Sequence, residues 1–197
     1  MIIQPTPNPP TYSLYRSKDI QPLSHQLISA AKFNNTRKIK ELLGNLNVSN
    51  NPEVINYTDE DNNTALMWAS VNGNIQGVSL LLKHEADQNI KNIYHYTALH
   101  LAVWHKHLEC FKSLLKKGPD LDIKNELGYT AFEIAVRKLE CCYKAPKDDP
   151  SYSSTLTTYK AIIKTFFKHD TRAKYKEQVT SLAIQADVKA LLFSLNN

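Results

Sequence analysis

Apolar residues recur at helical spacing in short runs broken by polar pairs. In the segment 74–84, Ile75, Val78, Leu81 and Leu82 fall on one face, which predicts a short amphipathic helix. A preceding segment, 64–72, ends at Gly73, a residue that stops helices, and predicts a second one packed beside it. The same pair returns downstream. Leu108, Phe111, Leu114 and Leu115 repeat the apolar face, and Asp120-Leu121-Asp122 repeats the polar connection Asp87-Gln88-Asn89. Thr64-Ala65-Leu66-Met67-Trp68-Ala69 returns as Thr97-Ala98-Leu99-His100-Leu101-Ala102 and as Thr130-Ala131-Phe132-Glu133-Ile134-Ala135, with successive threonines 33 residues apart. A fixed period of this size marks an array of stacked units.

These units resemble the ankyrin repeat. The resemblance is carried by Thr97–Ala102, His107 at the turn, Leu114-Leu115 and Asp120-Leu121-Asp122. Alanine stands where the family has proline in all three copies, and alanine is a good helix former at a first turn. Leu27-Ile28-Ser29-Ala30-Ala31 with Ile39 and Leu42-Leu43 fits an N-terminal unit with six extra residues before Thr64; Asp187 to Leu192 fits the second helix of a closing unit. The resemblance implies an all-α ankyrin-repeat solenoid: helix-turn-helix units joined by β-hairpin loops, about three clear repeats, and divergent N- and C-terminal caps. The expected division is a Pro-rich extended segment at 1–22 and a repeat domain at 23–197. Its units run 23–58, 59–91, 92–124 and 125–178, with a cap at 179–197. The fourth unit carries about 18 extra residues. Pro146, Pro150 and a Ser/Thr cluster within 144–158 predict a lengthened helix end and a protruding loop, an insertion near 139–158.

In the ankyrin family the hairpin tips and first helices line the concave face, so the resemblance implies a protein partner bound there. By register the face holds Glu60, Asp61, Asn63, Val71 and Asn72 in the second unit. The third gives Ile93, Tyr94, Tyr96, Trp104 and His105; the fourth gives Glu126, Leu127, Tyr129, Arg137 and Lys138; Lys32 and Phe33 hold the helix-end positions of the first. Where the family usually has small or polar residues, this chain places rings and aliphatics. Tyr and Trp bury large areas with few rotors and are enriched in binding hot spots. The competing expectation is that these rings pack on neighbouring hairpins. The resemblance also implies His100 and His107 as structural histidines, and Asn89, with Asn56 its counterpart, as an acceptor for asparaginyl hydroxylation. Glycine-poor units rich in Asn and Lys look like the ankyrin proteins of intracellular bacteria. That likeness implies a secreted effector acting in a host cytosol, with a eukaryotic adaptor as the competing reading.

Charge and cysteines narrow the chemistry. The net charge is +5, and residues from Arg137 onward hold eleven basic and six acidic groups, so the surplus lies in the C-terminal third. Lys160, Lys164 and Lys168 share one helix face, followed by Arg172, Lys174 and Lys176. This stripe is either a solvated face or a binder of nucleic acid or an anionic surface. The three cysteines, Cys110, Cys141 and Cys142, are expected as free thiols of a reducing, cytoplasmic compartment. No apolar run is long enough to span a bilayer, and the N-terminus lacks the pattern of a secretory signal. His105, His107 and Cys110 have the spacing of metal ligands, but the register gives His107 and Cys110 structural roles. Cys141 or Cys142 with His169 is the one imaginable nucleophile and base, and it defines the enzyme alternative. Neither a Gly-rich phosphate loop nor a His-Glu-x-x-His motif occurs. A monomeric, non-catalytic chain needing no cofactor or metal is expected.

Overall fold

The computed structural model describes residues 17–44, 51–145, 150–168 and 186–195. Ten helices lie in these segments: α1 (Ser17–Lys32), α2 (Thr36–Leu43), α3 (Pro52–Ile55), α4 (Ala65–Val71), α5 (Ile75–Lys83), α6 (Ala98–Trp104), α7 (Leu108–Lys116), α8 (Ala131–Lys144), α9 (Tyr152–Lys168) and α10 (Ala186–Leu195). The expected extended segment at 1–22 meets helix from Ser17 onward; its remainder lies outside the described residues, as do His169, Arg172, Lys174 and Lys176.

The repeated threonines start the first helix of each unit. Thr64, Thr97 and Thr130 cap α4, α6 and α8 by accepting the backbone N–H of Met67, His100 and Glu133. At Thr97 and Thr130 the third residue reaches back to the cap N–H, closing a capping box. Asn35 and Asn74 cap α2 and α5 in the same way. Five of these ten helices have seven to nine residues, too short to be stable alone. Stacking supplies the rest. The first helices α1, α4, α6 and α8 form one layer in order, and the second helices α2, α5, α7 and α9 form the other. Ala65, Ala98 and Ala131, with Ala69, Ala102 and Ala135, make two buried columns that let the first helices approach closely. Leu81, Leu114 and Phe166 fill the space between the layers. Phe111, Phe132, Phe166 and Phe167 form one ring cluster joining the third and fourth units, with centroids 4.7 to 5.8 Å apart.

The turns obey the same period. Residues with left-handed φ fall at Asn62, His95 and Gly128, at Gly73 and Lys106, and at Glu85 and Gly118, each series spaced by 33. Asn34 takes the matching position in the first unit. Glycine fills only three of these eight places, so the rest accept the steric cost of a Cβ in that region. Gly73 has a second constraint: a Cβ there would meet the His107 ring at 2.5 Å.

The hairpin connections are turns without a strand ladder among the described residues. Asn92 N–H donates to Tyr96 O and Asn125 N–H to Tyr129 O, while the Asn92 and Asn125 side chains accept from the tip backbone. Adjacent tips are stitched by Ile93 N–H to Asp61 O and Glu126 N–H to Tyr94 O. The ion pairs Lys38–Glu41, Glu109–Lys112 and Glu140–Lys144 each stay within one helix.

The fourth unit is longer, as its extra residues require, but the protruding loop is shorter than 144–158. Helix α9 already includes 152–158, so the added chain extends both helices of the unit. Thr157 and Thr158 hydroxyls donate to the Ser153 and Ser154 carbonyls, so these side chains satisfy their polar groups within the helix. Tyr159 then anchors the extension by donating its hydroxyl to Trp104 O at 3.2 Å. Helix α10 packs on α9 and α8, in keeping with a closing helix.

Candidate partner-binding face

The first-helix layer and the tips carry most of the residues that the register assigned to the concave face. Leu127 is 66%, Tyr94 54%, Ile93 44% and Trp104 40% exposed. Ile93 and Tyr94 occupy the tip of the third unit and Leu127 that of the fourth, and the Glu126–Tyr94 backbone bond holds these tips side by side. Glu60 and Asp61 are exposed on the tip of the second unit, and Glu126 on that of the fourth.

Tyr96 and Tyr129 are less available than their register positions suggest. Both are half-buried against the core. Tyr96 stands edge-on to His100 and to Trp104, with centroids 5.9 and 6.1 Å away. Part of the aromatic row is therefore packing, and part is open.

Two consecutive residues of α8 join the row. Lys138 Nζ lies 3.4 Å from the centroid of the Trp104 ring, and Arg137 Cζ lies 4.0 Å from that of Tyr129. At the other end of the stack Lys32 Nζ sits 4.9 Å over Trp68, whose indole N–H donates to Asp59 Oδ2 at 2.8 Å. Sequence register alone did not pair Lys138 with Trp104 or Lys32 with Trp68, because each pair crosses from one unit to the next. Phe33, 76% exposed at the end of α1, extends the apolar surface to the first unit.

Other assigned residues are engaged between units. Asn72 donates to the carbonyls of Ala31 and Lys32, and Asn63 Oδ1 accepts from the Asn92 amide. Asn89 is exposed, yet its Oδ1 accepts Asp120 N–H at 2.9 Å, as Asn56 Oδ1 does for Asp87 N–H at 2.8 Å. His105 is exposed and stacks parallel to His107 at 6.2 Å. Its pKa is lowered, first by partial burial and then by the neighbouring His107 and Lys138.

His100, His107 and Cys110 are occupied by structure, whereas Cys141 is an exposed thiol. His107 Nε2 is 2.9 Å from Val71 O, so it donates to the carbonyl end of the preceding unit's first helix. His100 Nε2 donates to Tyr129 O at 3.3 Å, while Nδ1 accepts Thr97 N–H at 3.3 Å. Burial lowers the His100 pKa to about 4. Cys110 is buried, and burial raises its thiol to about 11. Burial also raises the Cys142 thiol, with Cys141 adding to the effect. These thiols are pushed away from the thiolate that a nucleophile or a metal site needs. Among the described residues no helix is long and apolar enough to cross a membrane.

Residues 27–125 match the family model for ankyrin repeats in three copies, half of the chain. The chain belongs to the ankyrin-repeat family. The match takes in the first three units, and the fourth extends the stack in the same register beyond it. A comparison with curated proteins gives no match. Ankyrin repeats are generally protein–protein interaction modules and are typically non-catalytic.

Proposed function

We propose that this ankyrin-repeat chain captures a protein partner through the tips and first-helix ends of its second to fourth units, without catalysis. The observation that carries this reading is the clustering of Ile93, Tyr94, Leu127 and Trp104, all exposed, on the tips and first-helix end of two adjacent units. Apolar groups of this size left open on one face mark contact surfaces. Inter-unit hydrogen bonds and core stacking fix the face before any partner arrives, so little ordering entropy is lost on binding. The aromatic centre provides contact area, and the acidic tip at Glu60 and Asp61 and the basic end at Arg137 and Lys138 orient the partner.

Binding by Tyr94→Ala and Trp104→Ala variants tests the reading. A central aromatic truncated at an interface costs about 2 kcal/mol or more, a loss of roughly thirtyfold in affinity. The partner is obtained by affinity capture with the wild-type chain, and each variant is checked by circular dichroism. Folded variants that still bind with unchanged affinity would reject this face. The enzyme alternative, built on Cys141 and Cys142, has the raised Cys142 thiol against it.

A further inference from the structure

Resting on that reading, we propose that the partner segment is an extended acidic peptide, with carboxylates seated at Arg137 and Lys138 and apolar side chains on Tyr94 and Leu127. These two cations are consecutive on α8, and each lies over a ring, 4.0 and 3.4 Å from the centroids of Tyr129 and Trp104. The rings fix the positions of two long side chains that would otherwise lose rotamer freedom on binding. Neither cation forms an ion pair among the described residues; the neighbouring Glu140 is paired with Lys144. Arg137 Nε is buried with no acceptor among the described residues. The result is a half-desolvated, pre-positioned double positive charge with no ion-pair partner among the described residues.

The other end of the stack differs. There the Lys32–Trp68 pair is met by Asp59 through the indole N–H, with Glu60 and Asp61 beside it. The face therefore carries Asp59, Glu60 and Asp61 at the second unit, apolar groups in the middle, and Arg137 and Lys138 on α8 of the fourth, whose tip also bears Glu126. A uniform polyanion laid along it would meet repulsion at Asp59, Glu60 and Asp61, so a nucleic acid fits poorly. A peptide carrying acids at one end only fits throughout. Stacked helices lie about 8–10 Å apart, so the two steps from second to fourth unit span roughly 20 Å. That is about six residues of extended chain at roughly 3.3 Å each. Ile93 and Tyr94 on one tip and Leu127 on the next present apolar surface within that length.

The test selects peptides from a random twelve-residue display library on the full-length chain. Enriched peptides are then measured by fluorescence anisotropy against wild type, Arg137→Gln/Lys138→Gln, Arg137→Glu/Lys138→Glu and Tyr94→Ala. A twenty-residue oligothymidylate serves as the nucleic-acid probe. The expected result is enrichment of Asp and Glu beside Leu, Phe or Trp, at least tenfold weaker binding to the neutralised double variant, and lower affinity as salt rises. Binding of a Lys-for-Glu version of the same peptide by the charge-reversed variant keeps the test valid if the neutralised variant folds poorly. Selected peptides without acidic residues that still need Tyr94 would overturn this inference and leave protein capture standing. Oligothymidylate binding lost in the neutralised variant would overturn it in favour of nucleic acid. No selected peptide binding at all would count against both readings.

Discussion

His100 gives the sharpest link between the repeat register and a number. Its ring bridges two units: Nε2–H donates to Tyr129 O, an acceptor only, and Nδ1 lies 2.8 Å from the Thr97 hydroxyl and accepts Thr97 N–H at 3.3 Å. These partners fix the neutral tautomer. Burial disfavours the charged ring by more than the Tyr129 and Ile123 carbonyls favour it, and the pKa falls from the ordinary 6.5 to about 4. The sign follows from linkage. Below about 6.5 the unfolded chain takes up a proton that the folded chain refuses, so folding stability is lost as pH falls from about 6.5 toward 4. Each unit of displacement is worth about 1.4 kcal/mol, so the loss attributable to this residue reaches about 2–3 kcal/mol at pH 4.5. Urea unfolding of wild type and His100→Gln, at half-unit steps from pH 7.5 to 4.5, measures it. Gln keeps an amide capable of the same hydrogen bonds and does not titrate there, so the other histidines cancel in the difference. The stability of wild type relative to the variant should fall steadily across this window. Parallel stability curves would mean that His100 is not buried as an inter-unit bridge.

The turns offer further checks. Gly73→Ala places a Cβ in a left-handed position and 2.5 Å from the His107 ring; thermal unfolding should show a loss of about 2 kcal/mol or more. Glu85→Gly should do the reverse: Glu85 is exposed at φ +60, where the next unit has Gly118, and relief of the strain should gain about 1 kcal/mol by urea unfolding. Tyr159→Phe removes the hydroxyl bound to Trp104 O, and a loss of about 1 kcal/mol is expected with the α9 extension exchanging amide hydrogens faster.

The period of 33 made the helix pairs and their order readable before any coordinates; the threonine caps and buried alanine columns came from the structure. His100 and His107 sit in the structural roles that the resemblance implies, because both are fixed by register against a carbonyl of a neighbouring unit. The misjudged features depend on contacts that a linear pattern does not encode. Ser and Thr ordinarily compete with helix, so 152–158 reads as loop; burial of Tyr159, Ile162 and Ile163 and the Tyr159 anchor outweigh that preference. The left-handed turns are hard to see because Asn62, Glu85, His95 and Lys106 stand where glycine would announce them. Tyr96 and Tyr129 share the register of a contact face but turn their rings partly into the stack. The pairing of Lys138 with Trp104 crosses from one unit to the next, and only packing of α8 beside α6 reveals it.

Site-specific photocrosslinking tests the central claim most directly. A photoreactive phenylalanine is placed at Tyr94, on the tip, or at Ile75, which is 37% exposed on the second-helix layer, and each chain is irradiated in cells that express it. Capture through the tips and first helices predicts a discrete protein adduct from position 94 and none from position 75. The same adduct from position 75 alone, or indistinguishable patterns from both, would place the contact surface elsewhere on the solenoid.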